Sequence, residues 1–295
     1  MSINTLKRSL PSPVPAVHPL PEYLAVGERK AFYTAMKTAL QVPWMGVVTM
    51  AYTHYPHFFR YLWRGLEPVV TGAAFVGECR DLRALAEREA ARLAPARLRG
   101  TLDAAGYAST EIASIREMIE IFSHGNYPYL LIATLVRLLL EGGAQEPDAA
   151  VDTAPFTGRH APEVTCPFVL MEAHHADPTT RAVYEDVKAT LGLPFVNTDY
   201  RALARWPSYF AAAWAGIKPL VATPDYDAAC NRVHDAALAQ VRHRVPNPAG
   251  LDAEGLRAAA RQDAPLEEVL AMARLFQWLL PGLVLNVALF DLQLR

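Results

Sequence analysis

Apolar residues in this chain recur at spacings of three and four almost throughout, and alternating runs rich in Val, Ile and Thr are scarce. That pattern predicts an all-α fold. The predicted helices come in two sets bounded by prolines. A first helix over about 28–41 ends at Val42-Pro43-Trp44, and its counterpart over 178–192 ends at Leu193-Pro194-Phe195, because a residue before proline is driven out of the helical region. A short helix follows each break. Another starts at Pro56 or Pro207, where a missing amide hydrogen costs nothing, and a longer, more polar helix is expected over about 73–95 and 224–243.

The two sets are copies. Residues 31–79 align without a gap on 182–230 at a displacement of 151, with thirteen identities that include Tyr33 and Tyr184, Pro43 and Pro194, Trp63 and Trp214, Gly65 and Gly216, and Cys79 and Cys230. Conservative pairs such as Trp44 with Phe195 and Phe58 with Tyr209 lie between them. Farther on, Ile112, Met118 and Phe122 match Leu266, Met272 and Phe276 at a displacement of 154. The expected organisation is an N-terminal arm (1–25), a helical repeat (26–141), a Pro/Ala/Asp/Thr-rich linker (142–177) and a second repeat (178–295). Two such repeats are expected to form a pseudo-dimer, with the active site between or beside them.

Composition narrows the function. With 295 residues, 52% hydrophobic, the chain can bury a sizeable core. A net charge of −2 without a Lys/Arg block argues against a nucleic-acid partner. Three cysteines without a CxxC pair fit reduced thiols in the cytoplasm and exclude a dithiol redox centre. The proline-broken N-terminus lacks the apolar run of a signal peptide. Val269 to Leu292 is long and apolar, but Arg274, Pro281, Asn286 and Asp291 interrupt it, so a buried core helix is expected and no membrane span. Glu172-Ala173-His174-His175-Ala176-Asp177 has metal-ligand residue types, yet no other His/Cys cluster completes a site, so neither metal nor cofactor is expected. His54 and His57 share a face that reads as solvated, since the other copy has Arg205 and Ser208 there. No GxSxG, Walker A or GxGxxG context is present.

The informative positions are those where the copies disagree. Met45-Gly46-Val47-Val48 in the first becomes Val196-Asn197-Thr198-Asp199 in the second, so a carboxylate stands where the same scaffold accepts valine. Burial of that carboxylate costs several kcal/mol unless it is used or paired. Two readings stay open: Thr198 or Asp199 caps the helix from Tyr200 onward, worth about 1 kcal/mol, or Asp199 is catalytic. A second difference is His124-Gly125-Asn126-Tyr127-Pro128-Tyr129, facing Trp278 to Leu283. Its residue types suit a helix stop at Gly125 and a restart near Pro128, or a polar pocket.

The order of Val42-Pro43-Trp44, Pro56, Trp63, Phe122…Gly125-Asn126…Tyr129-Leu130 and Thr198-Asp199-Tyr200-Arg201-Ala202-Leu203-Ala204-Arg205-Trp206-Pro207 resembles the group I 2-haloacid dehalogenases. The resemblance covers most of the chain. It implies a cofactor-free helical pseudo-dimer in which Asp199 activates a water that attacks the halogen-bearing carbon directly. It also implies that Asn126 and Tyr129 orient water or substrate and that Trp44, Val47 and Thr198 line the pocket. Thr71 aligns with a family threonine. One helical turn farther, where active members carry glutamate, this chain has Phe75, or Val76 with one residue of slack. Ala213 matches a position that is polar in relatives accepting both enantiomers, which favours the D-enantiomer. The implied partner is a small haloacid, with association into a homodimer left open. The alternative is a catalytically altered or silent member that binds a small molecule or hydrolyses another small acid.

Overall fold

The computed structural model describes residues 6–148 and 151–295. Among these the secondary structure is helical, with a single isolated bridge between Gly72 and Pro155. After a short 3-10 turn at Glu22–Leu24, the helices are α1 (Gly27–Leu40), α2 (Val47–Tyr52), α3 (Pro56–Val70), α4 (Ala73–Arg92), α5 (Arg99–Ala104), α6 (Ser109–Leu140), α7 (Pro178–Leu191), α8 (Thr198–Leu203), α9 (Pro207–Val221), α10 (Pro224–His243), α11 (Ala253–Asp263) and α12 (Leu266–Leu294). The bounds of α7 to α10 equal those of α1 to α4 shifted by 151. Pro56 and Pro207 each start a helix, as their preset φ dictates.

Two local outcomes differ from the sequence reading, and a third was not foreseen. Gly125 ends no helix: α6 runs unbroken from Ser109 to Leu140 with Pro128 inside it. Residues 125–140 are all buried, and tertiary packing of that face outweighs the turn chemistry of Gly-Asn-Tyr-Pro. The helix at 198 is capped by neither Thr198 nor Asp199. Asn197 is its N-cap residue, without a side-chain cap, and Asp199 lies one residue inside the first turn. The N-terminal segment is tied down, with Leu20 donating its amide to Met50 O (3.0 Å) and Arg8 Nε donating to Trp278 O (2.9 Å).

The chain divides into two compact units that do not follow its order. The first comprises Met1–Leu82, Asn126–His160 and Asn231–Gly282; the second comprises Arg83–Gly125, Ala161–Cys230 and Leu283–Arg295. Each draws on both halves of the sequence, and α4, α6, α10 and α12 contribute to both.

In the first unit α3 packs against α11. Asp263, at the end of α11, accepts hydrogen bonds from the His57 and Phe58 amides (3.2 and 2.8 Å), two of the donors that the start of α3 leaves unpaired, and pairs with His57 Nδ1 at 2.7 Å. Gly65 lets the chain before α11 approach closely, since a Cβ there would lie 2.9 Å from Leu251 Cβ. Tyr52 stands edge-on to Phe58 and Phe276, with ring centroids 5.6 and 6.0 Å apart.

The second unit is built on α7 to α9. Asp177 caps α7 by accepting from the Thr179 and Thr180 amides (2.8 and 3.1 Å), with Pro178 in the first turn. Tyr200 of α8 packs among Phe210, Trp214 and Phe290, with centroids 6.1 to 6.3 Å away. Trp214 Nε1 donates to Asp186 Oδ2 at 2.7 Å.

The apolar C-terminal run forms α12. It is long and apolar enough to cross a membrane, but 78% of its most apolar window is buried within the protein. That burial is what a core helix requires.

Candidate active site

The sequence-predicted residues fall in both units. Trp44, Val47, Thr71, Phe75, Asn126 and Tyr129 belong to the first; Thr198, Asp199 and Ala213 belong to the second.

In the first unit, the Pro43-Trp44 break and the start of α2 meet the middle of α6. Tyr129 is 1% exposed and donates its hydroxyl hydrogen to Trp44 O at 3.0 Å, while the two rings meet edge-on with centroids 6.1 Å apart. Burial pushes the phenol well above its usual pKa, so it stays protonated at neutral pH. Because its proton is committed to a backbone carbonyl, Tyr129 holds the Trp44 segment in place and keeps an oxygen lone pair to accept with. Gly46 makes this contact feasible: a Cβ there would lie 2.9 Å from the Tyr129 ring. Sequence reasoning passed over Gly46, although its mate Asn197 was a visible signal that the position differs.

Asn126 is 3% exposed and sits three residues before Tyr129, so both lie on one face of α6. Val47 is half-buried at the first position of α2, directly behind the N-cap Gly46. Glu22 Oε1 accepts from the Met45 amide at 2.8 Å and also pairs with Lys37, which fixes the loop carrying Trp44 from the solvent side.

Thr71 does not share this burial. It is exposed at the end of α3, and its hydroxyl donates to Glu67 O at 3.0 Å, where the last carbonyls of the helix lack amide partners. Thr71 is thus the C-cap residue of α3, at the exposed end of that helix. Phe75 is 3% exposed on α4. Glu78, nearby on the same helix, has a carboxylate oxygen 3.4 Å from Arg244 Nε, and burial raises its pKa.

In the second unit, Asp199 is 2% exposed and Thr198 is 4% exposed, side by side in the first turn of the six-residue α8. Arg201, two residues on, is engaged elsewhere: Nη1 pairs with Glu172 at 2.6 Å and Nη2 reaches Thr198 Oγ1 at 3.4 Å. Glu172, in the segment of metal-ligand residue types from which no metal site was expected, thus supplies an ion-pair partner for α8. Ala213 is fully buried on α9, and its carbonyl accepts from Gln293 Nε2 at 3.2 Å. Val48, the sequence mate of Asp199, is buried to 3%, so a carboxylate occupies a position at which valine serves the same local helix.

No family model matches the sequence. A curated relative from Rhizobium sp. (strain NHG3), named (R)-2-haloacid dehalogenase, is 48% identical over 248 residues, covering 83% of this chain and 95% of the relative. The chain belongs to the 2-haloacid dehalogenase family. A relative from Pseudomonas putida with the same name is 35% identical over 294 residues, covering 98% of this chain and 97% of its own length. A solved D-2-haloacid dehalogenase in complex with L-LA superposes with a TM-score of 0.89 at 33% identity, covering 98% of this chain and 100% of the other. This chain has phenylalanine at position 75 and a buried aspartate at 199.

Proposed function

We propose that this protein hydrolyses short D-2-haloalkanoic acids to 2-hydroxy acids by direct attack of a water on the α-carbon, with Asp199 as the base. The protein is a hydrolase of carbon–halogen bonds in 2-haloacids. The observation that carries the mechanism is the buried Asp199 carboxylate, standing where the other copy has Val48 and not at the N-cap position of α8.

In the step proposed, the water oxygen bonds to the α-carbon as the carbon–halogen bond breaks, the halide leaves with the bonding pair, and Asp199 takes the proton. Attack opposite the leaving group inverts the configuration. Base catalysis of this kind contributes about 10²–10⁴-fold. Asn126, Thr198 and Tyr129 are assigned to orienting water and substrate, and Trp44 and Val47 to the apolar wall beside the halogen. The small side chain of Ala213 and the (R)-specific names of the two relatives support the D-enantiomer. The equal bounds of α1–α4 and α7–α10 support a duplicated helical scaffold, a pseudo-dimer within one chain. Three free cysteines support a reducing, cytoplasmic setting.

The reading predicts halide release from D-2-chloropropionate at a rate at least about tenfold above that from the L-enantiomer, a discrimination worth about 1.4 kcal/mol. Ion chromatography of both reactions measures it. No halide from either enantiomer by folded protein would sink the reading, and equal rates would remove the enantiomer assignment.

A further inference from the structure

The second unit holds a buried polar chain that the mechanism above does not use. Asn286 on α12 is fully buried. Its Oδ1 accepts from the Tyr226 hydroxyl of α10 at 2.9 Å, and its Nδ2 donates to the Tyr200 hydroxyl oxygen of α8 at 2.9 Å. Tyr200 is the residue after Asp199 and is itself fully buried. Burial raises the Tyr200 pKa most; the Asn286 bond lowers it and the Asp199 charge raises it, so phenol and carboxylate sense each other electrostatically.

The first half of the sequence shows what this scaffold does without the chain. At the positions displaced by 151, Tyr200 and Tyr226 correspond to Thr49 and Phe75, and at the displacement of 154, Asn286 corresponds to Ile132. Thr49 spends its hydroxyl on Gly46 O of its own turn (2.9 Å), and Phe75 and Ile132 are apolar and buried. An apolar solution therefore serves these helices. A buried Tyr-Asn-Tyr chain brings little stability over such a solution and must be fully satisfied to persist. It occurs only beside the copy that carries Asp199.

The reason lies in the length of α8. Six residues form fewer than two turns, too few to hold a fixed orientation by backbone bonds alone. Aromatic packing around Tyr200 fixes its depth, and the directional bond from Asn286 fixes where the phenol ends, hence the rotation of α8 about its axis. Rotation of α8 sets the direction in which Asp199 projects.

We infer that Asn286, oriented by Tyr226 and acting through Tyr200, is a positioning residue that sets the direction of the Asp199 carboxylate. The inference rests on the reading of Asp199 as the base. In Asn286→Leu the expected result is a fall in kcat for D-2-chloropropionate of about 10- to 100-fold, the usual cost of a misplaced group, with KM within about twofold and no fall in Tm. Tyr226→Phe leaves Asn286 free to turn and should show a smaller fall of the same kind. The double variant should be no slower than Asn286→Leu alone, because both act on one chain.

Folded Asn286→Leu with kcat within about twofold of wild type overturns the inference, as does a double variant whose losses multiply. Should Asn286→Leu fail to fold, kcat of folded Tyr226→Phe decides: wild-type kcat overturns, a fall with KM held supports. Asp199→Asn is run in parallel. Turnover in that control overturns the base assignment and the inference with it, whereas an inactive control beside a full-rate Asn286→Leu overturns the positioning role alone.

Discussion

Asp199→Asn is expected to abolish halide release while the protein keeps its fold and loses no thermal stability. The amide has nearly the shape of the carboxylate but cannot take a proton from water, so the rate falls by at least the 10²–10⁴-fold, approximately, that a positioned base supplies. Stability moves the other way. Asp199 is 2% exposed, and the near-isosteric amide fills the same space without a cavity or a clash. A site built for chemistry at the expense of stability should therefore give a Tm equal to or above wild type when its charge is removed. The capping reading predicts the opposite, a destabilisation of about 1 kcal/mol with turnover retained. Parallel halide assays and thermal melts separate the two.

The largest effect on folding is expected at Phe58. Its side chain is fully buried in the first unit, with ring centroids 5.6 Å from Tyr52 and 6.5 Å from Tyr55, and its amide donates to Asp263 at the junction of α3 with α11. Phe58→Ala removes the ring, leaves a cavity among rigid aromatic neighbours and is expected to cost about 3–5 kcal/mol. Urea denaturation measures it through a lowered midpoint at unchanged m-value. A loss under about 1 kcal/mol would mean that the α3–α11 contact closes over the gap, and that this junction is not a rigid part of the core.

Much of the local structure was legible because it is set by residues that act on their own backbone. Pro56 and Pro207 fixed the starts of α3 and α9, and the Pro43 and Pro194 breaks fixed the ends before them. The apolar run at the C-terminus was expected to form one long helix, and it forms α12, most of whose apolar window is buried. Features decided by tertiary contact were not legible. Gly125-Asn126-Tyr127-Pro128 carries every local sign of a turn, yet α6 continues because both sides of that segment are buried. Thr71 aligned with a site residue, but its position at the exposed end of α3 follows from where the helix stops. Asn286 read only as a polar interruption. Its hydrogen bonds to Tyr200 and Tyr226 join helices from distant parts of the chain, which spacing cannot reveal. Nor does the order of the chain show that each compact unit draws on both halves of the sequence.

The site itself was legible to the extent that the two copies differ. Asp199 against Val48 singled out a carboxylate at a position where the other half of the sequence carries valine, and both side chains are buried. Gly46 was missed although its difference from Asn197 is of the same kind, because the need for glycine arises from the Tyr129 ring 85 residues away from Trp44.

The central claim is that water activated by Asp199, and no covalent ester on the protein, displaces the halide. A single turnover with enzyme in excess over D-2-chloropropionate in ¹⁸O-water tests it most directly, read by mass spectrometry of the product and of the peptide containing Asp199. The account predicts ¹⁸O in the 2-hydroxy acid after that first turnover and none in the peptide. Label in the Asp199 carboxylate, with unlabelled product, would contradict it.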